Sequence, residues 1–313
     1  MRVADDGPGI PFEEAGGTDG PGLEALLTRP HAGREPGGRR AVAMGLFGIG
    51  PCVANALSSR LTAEVRREGV HWMQEYERGV ALARPGAAGP AIGTGTTIAF
   101  RPDDTVFGPA QCEFDVLAEC FRTLAFLNRG LDITLTDERD PGGPRVVRFR
   151  FPGGVRDFVA ALGVRSKASV RSDVLGFERD DPRMAGTMEV ALQWCDSREE
   201  DVRGFTNSLA THTGTGTHEA GLREGVVAAI DADARTRGLQ TAADRIGVGL
   251  TAVVSVKLDD PDFVDFARHE PGGDMVRACV AQAVREHLGA WFEAHPEQAA
   301  AVIAPVLRAA ARN

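Results

Sequence analysis

The sequence has little that would staple it, anchor it in a membrane or grip a polyanion. Its five cysteines (Cys52, Cys112, Cys120, Cys195, Cys279) are odd in number and widely spread, and no CxxC pair is present to hold zinc or run dithiol chemistry. They read as small core or surface thiols. No apolar run approaches the roughly 20 residues that cross a bilayer, and no charged-then-apolar leader opens the chain. Both absences argue against secretion and membrane insertion, so the expected location is the cytoplasm. The net charge is −9 and the pI near 5.4, and the clustered Lys and Arg that neutralise a nucleic-acid backbone are missing. Direct DNA contact is therefore expected to be weak, local or dependent on a partner. There is no Gly-x-Ser-x-Gly nucleophile elbow, no internal repeat, and no Lys-Ser/Thr pair behind a glycine loop as a Walker site needs.

What is present suits two ordinary cores: 313 residues, 43% of them hydrophobic, a length that suggests two domains. A short β-like stretch, Arg2-Val3-Ala4, runs into Asp5-Asp6-Gly7-Pro8-Gly9-Ile10-Pro11. A buried carboxylate here can accept a hydrogen bond from an exocyclic amine, and the glycines let backbone approach a flat ring. So little chain precedes this motif that it is expected either at an unusual edge or in a domain whose first part is missing. Gly16 to Gly38 reads as a long loop of the kind that covers sites, holding one helical turn at Leu23 to Leu27. Met44-Gly45-Leu46-Phe47-Gly48-Ile49-Gly50-Pro51 then opens a helix over Cys52 to Ser59, with Val53 and Leu57 one turn apart. A glycine loop entering a helix favours anions, because free N–H groups and the helix dipole both attract phosphate.

Leu61, Ala63 and Val65 alternate with polar residues, Glu68-Gly69 turns, and Val70, Trp72, Gln74 and Tyr76 alternate back, which predicts a hairpin. A strand follows at Thr96 to Arg101. Phe114, Leu117, Phe121, Leu124 and Leu127 predict an amphipathic helix stopped by Asn128-Arg129-Gly130, and two strands are expected around the turn Asp140-Pro141-Gly142-Gly143. After about residue 152 the pattern restarts. It predicts a helix from Val155 to Leu162, a strand through Met188, Val190, Leu192 and Trp194, a helix from Gly221 to Arg237, and a nearly continuous apolar strand from Gly249 to Leu258. Two helices close the chain, Asp274 to Ala294 and Pro296 to Ala311, the second kinked at Pro305. His212 and His218 flank a Gly-Thr loop without a third ligand at metal spacing, so a solvated loop is expected there. Glu199-Glu200-Asp201 reads as exposed loop charge, and Trp72, Trp194 and Trp291 as core.

Asp5-x-Gly7-x-Gly9, Gly45-Leu46-Phe47-Gly48-Ile49-Gly50 and Gly95-Thr96-Thr97, in this order, resemble the ATP-binding fold shared by gyrase, a heat-shock chaperone family, histidine kinases and the mismatch-repair protein MutL. Within that group the sequence is most similar to the B-type chains of bacterial DNA gyrase and topoisomerase IV. The similarity runs on through Val53-x-Asn55-Ala56-Leu57-Ser58, Phe126-Leu127-Asn128-x-Gly130, Val190-Ala191-Leu192-Gln193-Trp194, Phe205-Thr206-Asn207, Gly216-Thr217-His218-Glu219-Ala220-Gly221 and Gly249 to Lys257. The resemblance implies an α+β chain: a GHKL-type (Bergerat) ATP-binding α/β sandwich over residues 1–152, then a ribosomal-protein-like transducer domain over 153–313.

Position by position, it implies that Asp5 accepts the adenine amino group. Gly7 and Gly9 would shape the pocket floor, Ile10 and Pro11 line it, and Thr96 back the ring through water. Gly45, Leu46, Gly48, Ile49 and Gly50 belong to the lid around the triphosphate, and Arg67 to the pocket mouth. It further implies ATP as ligand, with Mg²⁺ in the family, and DNA, a gyrase A-type subunit and a second copy as the family's partners. Some positions depart from the family. Pro8 stands where arginine is usual, Glu35 where a lysine is expected, Phe47 where histidine is usual, and Phe266-Ala267-Arg268 where Gln-Thr-Lys senses the γ-phosphate, a Lys-to-Arg change that is not conservative at a phosphate contact. The glutamate that activates water and the asparagine that holds Mg²⁺ are expected upstream of residue 1. Two functions follow: the ATP-driven gate of a type II topoisomerase, impaired in hydrolysis as this chain, or a diverged, non-catalytic nucleotide-binding or protein-interaction module.

Overall fold

The computed structural model describes residues 1–11, 22–30, 49–108, 112–166, 169–170, 172–211, 216–241, 247–259 and 273–307. Contacts divide it into two compact units, the first ending at Cys112 and the second beginning at Glu113.

In the first unit, β1 (Arg2–Ala4), α1 (Leu23–Thr28) and α2 (Gly50–Ala56) precede β2 (Ser58–Arg67), β3 (Val70–Glu77), β4 (Val80–Ala81), β5 (Gly86–Pro90), β6 (Gly95–Pro102) and the short helix α3 (Asp104–Phe107). The sheet order is β1-β6-β2-β3-β4, with β5 also paired to β3. The hairpin forms as its alternation predicts: Glu68 and Gly69 both take positive φ, and Leu61, Ala63 and Val65 face Tyr76, Gln74 and Trp72 in antiparallel register. Two adjacent positive-φ residues match the right-handed twist of the strands they join. Period two puts Leu61, Ala63, Val65 and Tyr76 on one face, where Leu23 and Leu27 of α1 cover them with Ile10, Ile98 and Phe100 at the margin. Trp72 is only half-buried. The helix after the glycine-rich stretch turns a different face inward than Val53 and Leu57 suggested. Val53 is exposed and Asn55 is the buried residue, because α2 meets the end of α1 rather than an apolar surface. Sequence alternation carried no sign of β4 and β5, since Gly86–Pro90 has almost no side-chain pattern.

In the second unit, α4 (Phe114–Leu127) and the hairpin β7 (Ile133–Asp137) and β8 (Arg145–Phe149) lead into α5 (Val155–Ser166), β9 (Leu175–Asp181), β10 (Gly186–Trp194), β11 (Asp201–Thr206), β12 (Leu209–Ala210), α6 (Thr217–Thr236), β13 (Leu250–Leu258), α7 (Asp274–Ala294) and α8 (Pro296–Ile303). The five-stranded sheet runs β12-β11-β13-β10-β9, with β11 and β13 parallel across the α6 crossover. A central strand with both faces covered has no polar side to show, and β13 is accordingly the continuous apolar run of the sequence. On one face α6 and α7 pack through Leu222, Val226, Ile230, Val280 and Val284 against Val190, Leu192 and Val254. On the other, α4 and α5 bring Phe126, Phe158 and Val159 to Ala191, Phe205 and Val253. Phe126 stacks on Phe151 and on Phe158, with centroids 3.7 and 4.7 Å away. That stack ties α4 and its hairpin to α5, so packing divides the chain after Cys112, upstream of the pattern restart near residue 152.

Two further details differ from the sequence reading. The last helix stops at Ile303 and continues as a 3₁₀ turn over Ala304–Val306, since Pro305 cannot donate an N–H to an α-helical ladder; the stretch beyond Leu307 lies outside the described residues. No helix among the described residues is long and apolar enough to cross a membrane.

Candidate functional site

The loop from Asp5 to Pro11 is pinned by the strand beside it. β1 is the edge strand, and all three of its residues are exposed while they pair with Thr97, Ile98 and Ala99 of β6. Immediately after it, Asp5 N donates to Thr96 O at 2.9 Å, and Asp5 Oδ1 accepts from Thr96 N at 3.1 Å and from Gly7 N at 2.9 Å. The carboxylate is therefore aimed by two backbone donors, both on Oδ1. Contrary to the burial expected from the sequence, Asp5 is exposed: an edge strand leaves one side of the carboxylate to solvent.

Thr96, by contrast, is buried, and its Oγ1 accepts from Ile10 N at 3.2 Å. The hydroxyl proton remains available to a ring nitrogen or a bridging water. Gly9 has φ +80, and a Cβ there would sit 2.7 Å from Arg66 O, so only glycine lets this turn close on β2. A Cβ on Gly7 would press on Asp5 Oδ1 at 3.0 Å, and one on Gly95 would strike Asp5 O at 2.1 Å. Gly7 and Gly95 thus serve the pose of Asp5, and Gly9 the closure of its loop on β2. Arg67 Nη1 donates to Gly9 O at 3.1 Å and its Nε to Glu68 Oε1 at 3.1 Å, which places the guanidinium at the rim of the same loop. Pro11 accepts the first N–H of α1, from Leu23 at 2.7 Å.

The structure brings together Asp5, Gly7, Gly9, Ile10, Pro11, Arg67 and Thr96. Ile49 and Gly50 are described at the start of α2, both exposed, and the N-cap residue Ile49 offers that helix no side-chain hydrogen bond. Gly45, Leu46, Gly48 and Arg268 lie outside the described residues, as do Glu35 and Phe47. Among the described residues no three His, Cys, Asp or Glu side chains converge as metal ligands would.

In the second unit, His218 is not in a solvated loop. It is fully buried at the first turn of α6, and burial pushes its imidazole down to about 4. The ring lies in a slot made by two glycines: a Cβ on Gly204 would reach Nε2 at 2.4 Å and one on Gly216 would reach Cε1 at 2.6 Å. Thr211 Oγ1 stands 3.5 Å from Nε2 and 3.1 Å from the buried Glu219 carboxylate. Glu200, expected as loose loop charge, accepts from Arg223 Nε at 2.6 Å. Of the two slot glycines only Gly216, two residues before His218, lies near it in sequence; Gly204, which makes the other wall of the slot, is on a distant strand.

Solved structures share this architecture. The ATPase domain of Thermus thermophilus gyrase B, determined in complex with an aminocoumarin, is 26% identical, covers 97% of this chain over 78% of its own length and superimposes with a TM-score of 0.78. Myxococcus xanthus gyrase B, 21% identical, has the same fold at a TM-score of 0.79 over 97% of this chain and 84% of its own. The fold is thus that of the gyrase B ATPase domain, a GHKL-type α/β sandwich. The family model for DNA gyrase B matches residues 154–313, starting where the sequence pattern restarts. The DNA gyrase B chain of Streptomyces coelicolor is 37% identical over 99% of this chain and 48% of its own length, and the novobiocin-sensitive gyrase B of Streptomyces niveus 34% identical over 99% and 49%. This chain belongs to the DNA gyrase B family, and it spans about half the length of the curated relatives it matches.

Proposed function

We propose that the first unit binds the adenine of ATP and that the chain is the ATP-binding and transducer portion of a gyrase B-like type II topoisomerase. The observation that carries this is Asp5: two backbone N–H groups occupy Oδ1 and leave Oδ2 to accept from an exocyclic amine, with the spare Thr96 proton beside it. Gly7 and Gly9 form the floor and Ile10 and Pro11 one wall. Arg67 sits at the mouth, Gly45, Leu46, Gly48, Ile49 and Gly50 wrap the phosphates, and Arg268 meets the γ-phosphate end. Residues 154–313, the part of the second unit that the gyrase B family model covers, act as the transducer. In the assembly ATP closes two copies into a gate that captures DNA beside a gyrase A-type subunit. The acidic chain itself contributes little direct DNA affinity, and its place is the cytoplasm.

A second reading is favoured by a specific observation, the four changed positions Pro8, Glu35, Phe47 and Arg268. Pro8 lies within the Asp5 loop itself, and the other three fall where the resemblance places phosphate contacts. On that reading this chain recognises nucleotide without turning it over, as a pseudo-ATPase.

Calorimetry with a non-hydrolysable ATP analogue tests the shared core. A hydrogen bond to a charged group contributes roughly 1.5–3 kcal/mol, so Asp5→Asn weakens binding about 10- to 100-fold. No binding to the wild-type chain, or an unchanged Kd in the variant, refutes the adenine assignment. A steady ATPase rate from the chain alone would eliminate the second reading.

A further inference from the structure

A buried carboxamide joins the two helices that flank the glycine-rich stretch. The first turn of α1 hangs on the adenine-side loop through the bond from Leu23 N to Pro11 O. At the other end, the last carbonyls of a helix have no partner within it. Ala25 O takes Arg29 N, and Leu27 O takes Asn55 Nδ2 of α2 at 2.9 Å. Asn55 is fully buried and its Oδ1 has no hydrogen-bond partner among the described residues, a destabilising arrangement that an apolar side chain of similar size would avoid.

The far end of α2 is fixed in turn. Ser58 Oγ donates to Ala54 O at 2.6 Å, Leu57 O accepts from Asp103 N at 2.9 Å, and Gly79 lies so close that a Cβ would stand 3.2 Å from Ala56 Cα. Pro11, α1, Asn55, α2 and Gly50 therefore form one continuous series of fixed elements, from the last residue of the adenine loop to the last glycine of the phosphate stretch. Burial of Leu23 and Leu27 already holds α1 to the sheet. What the amide adds is the position of the α1 end along α2.

We propose that Asn55 is a positioning residue that sets the separation of the adenine and phosphate contacts by clasping α1 to α2. This rests on the nucleotide reading above. Displacing a bound group by about 1 Å is enough to lose most of a precisely oriented contact, and the loss should appear only in ligands long enough to span both halves. Asn55→Leu, which keeps the volume and removes the donor, is titrated in the full chain with adenosine and with a non-hydrolysable ATP analogue. Adenosine affinity is expected to stay within about twofold and analogue affinity to fall about tenfold, a change of about 1.4 kcal/mol. Equal loss for both ligands, or loss for neither, overturns the positioning role while leaving the adenine site standing. If the wild-type chain binds neither ligand, the nucleotide reading fails and the positioning role with it. Should Asn55→Leu not fold, Asn55→Ser, too short to reach Leu27 O, is read by the same pair of titrations.

Discussion

Mild acid should destabilise the second unit through His218. Its imidazole is pushed down to about 4 from an ordinary 6.5 because the ring is buried, and Nδ1 has no hydrogen-bond partner among the described residues. The charged groups facing it are the Glu219 carboxylate and, behind that, Arg223, whose Nη1 lies 3.6 Å from Glu219 Oε2. The carboxylate would favour a protonated ring, and the downward shift means that desolvation outweighs it. A depressed folded pKa means the unfolded chain binds the proton first, so stability falls as pH drops below 6.5 and the loss is complete near 4. At about 1.4 kcal/mol per pH unit the full loss is about 3 kcal/mol, and about 2 kcal/mol of it falls between pH 7 and pH 5. Urea unfolding at those two pH values, followed by the fluorescence of the buried Trp194 and Trp291 in a Trp72→Phe background, reads this unit alone. His218→Gln removes the titration while keeping an amide of similar reach. The wild type should lose about 2 kcal/mol more than the variant on going from pH 7 to pH 5. Parallel losses in the two proteins would show that the ring is not the acid-sensitive element, and the burial argument would be refuted.

Other perturbations have equally definite outcomes. Gly9→Ala places a Cβ 2.7 Å from Arg66 O at φ +80 and should cost the first unit about 1–3 kcal/mol, measured by Trp72 fluorescence in urea. Gly225→Ala puts a methyl 2.6 Å from Ala281 O, where α6 meets α7; although alanine is the better helix former, overpacking should lower the second unit's stability by about 1–3 kcal/mol. Arg78 and the Thr105 hydroxyl and N–H hold the Asp103 carboxyl down to about 2 from 3.8. The stability it contributes is therefore present above pH 3.8 and lost as pH falls towards 2. Asp103→Asn should lower the first unit's Tm at pH 7, and the difference from wild type should close as pH approaches 2.

The elements most legible in the sequence are those whose side chains repeat with one period against one surface. The β2–β3 hairpin, α4, α6, α7 and β13 all show this, because a single buried face or a doubly buried strand leaves a periodic trace. Strands β5 and β11 were illegible for different reasons. Gly86–Pro90 has almost no side chains to alternate, and in Asp201–Thr206 the apolar side chains Val202 and Phe205 pack on opposite faces, the α6–α7 side and the α5 side, so no single face repeats. The tight loop around Asp5 could be read from the Asp-x-Gly-x-Gly spacing, since glycine is forced where a loop at positive φ closes on a neighbouring strand. Asn55 and His218 could not be assigned roles that way. A single buried polar residue has no period, and its partners, Leu27 O in one case and the Gly204 slot in the other, come from distant parts of the chain.

The distribution of the departures has a physical order. Every contact that aims Asp5 comes from the backbone: Thr96 N, Gly7 N, and the turn that Gly9 allows. Such contacts survive any side-chain substitution that the local φ permits. Pro8 illustrates this. It is exposed, and the Asp5 bonds on either side of it do not use its nitrogen, so replacing the family's arginine by proline removes a charge without disturbing the loop. The other three changed positions, Glu35, Phe47 and Arg268, lie outside the described residues. On the nucleotide reading proposed above, contacts aimed by backbone and contacts made by side chains can therefore drift apart in one lineage. A chain that had lost the pose of Asp5 would be expected to show substitutions at Gly9 or Gly95, where a Cβ collides with backbone, and it keeps glycine at both.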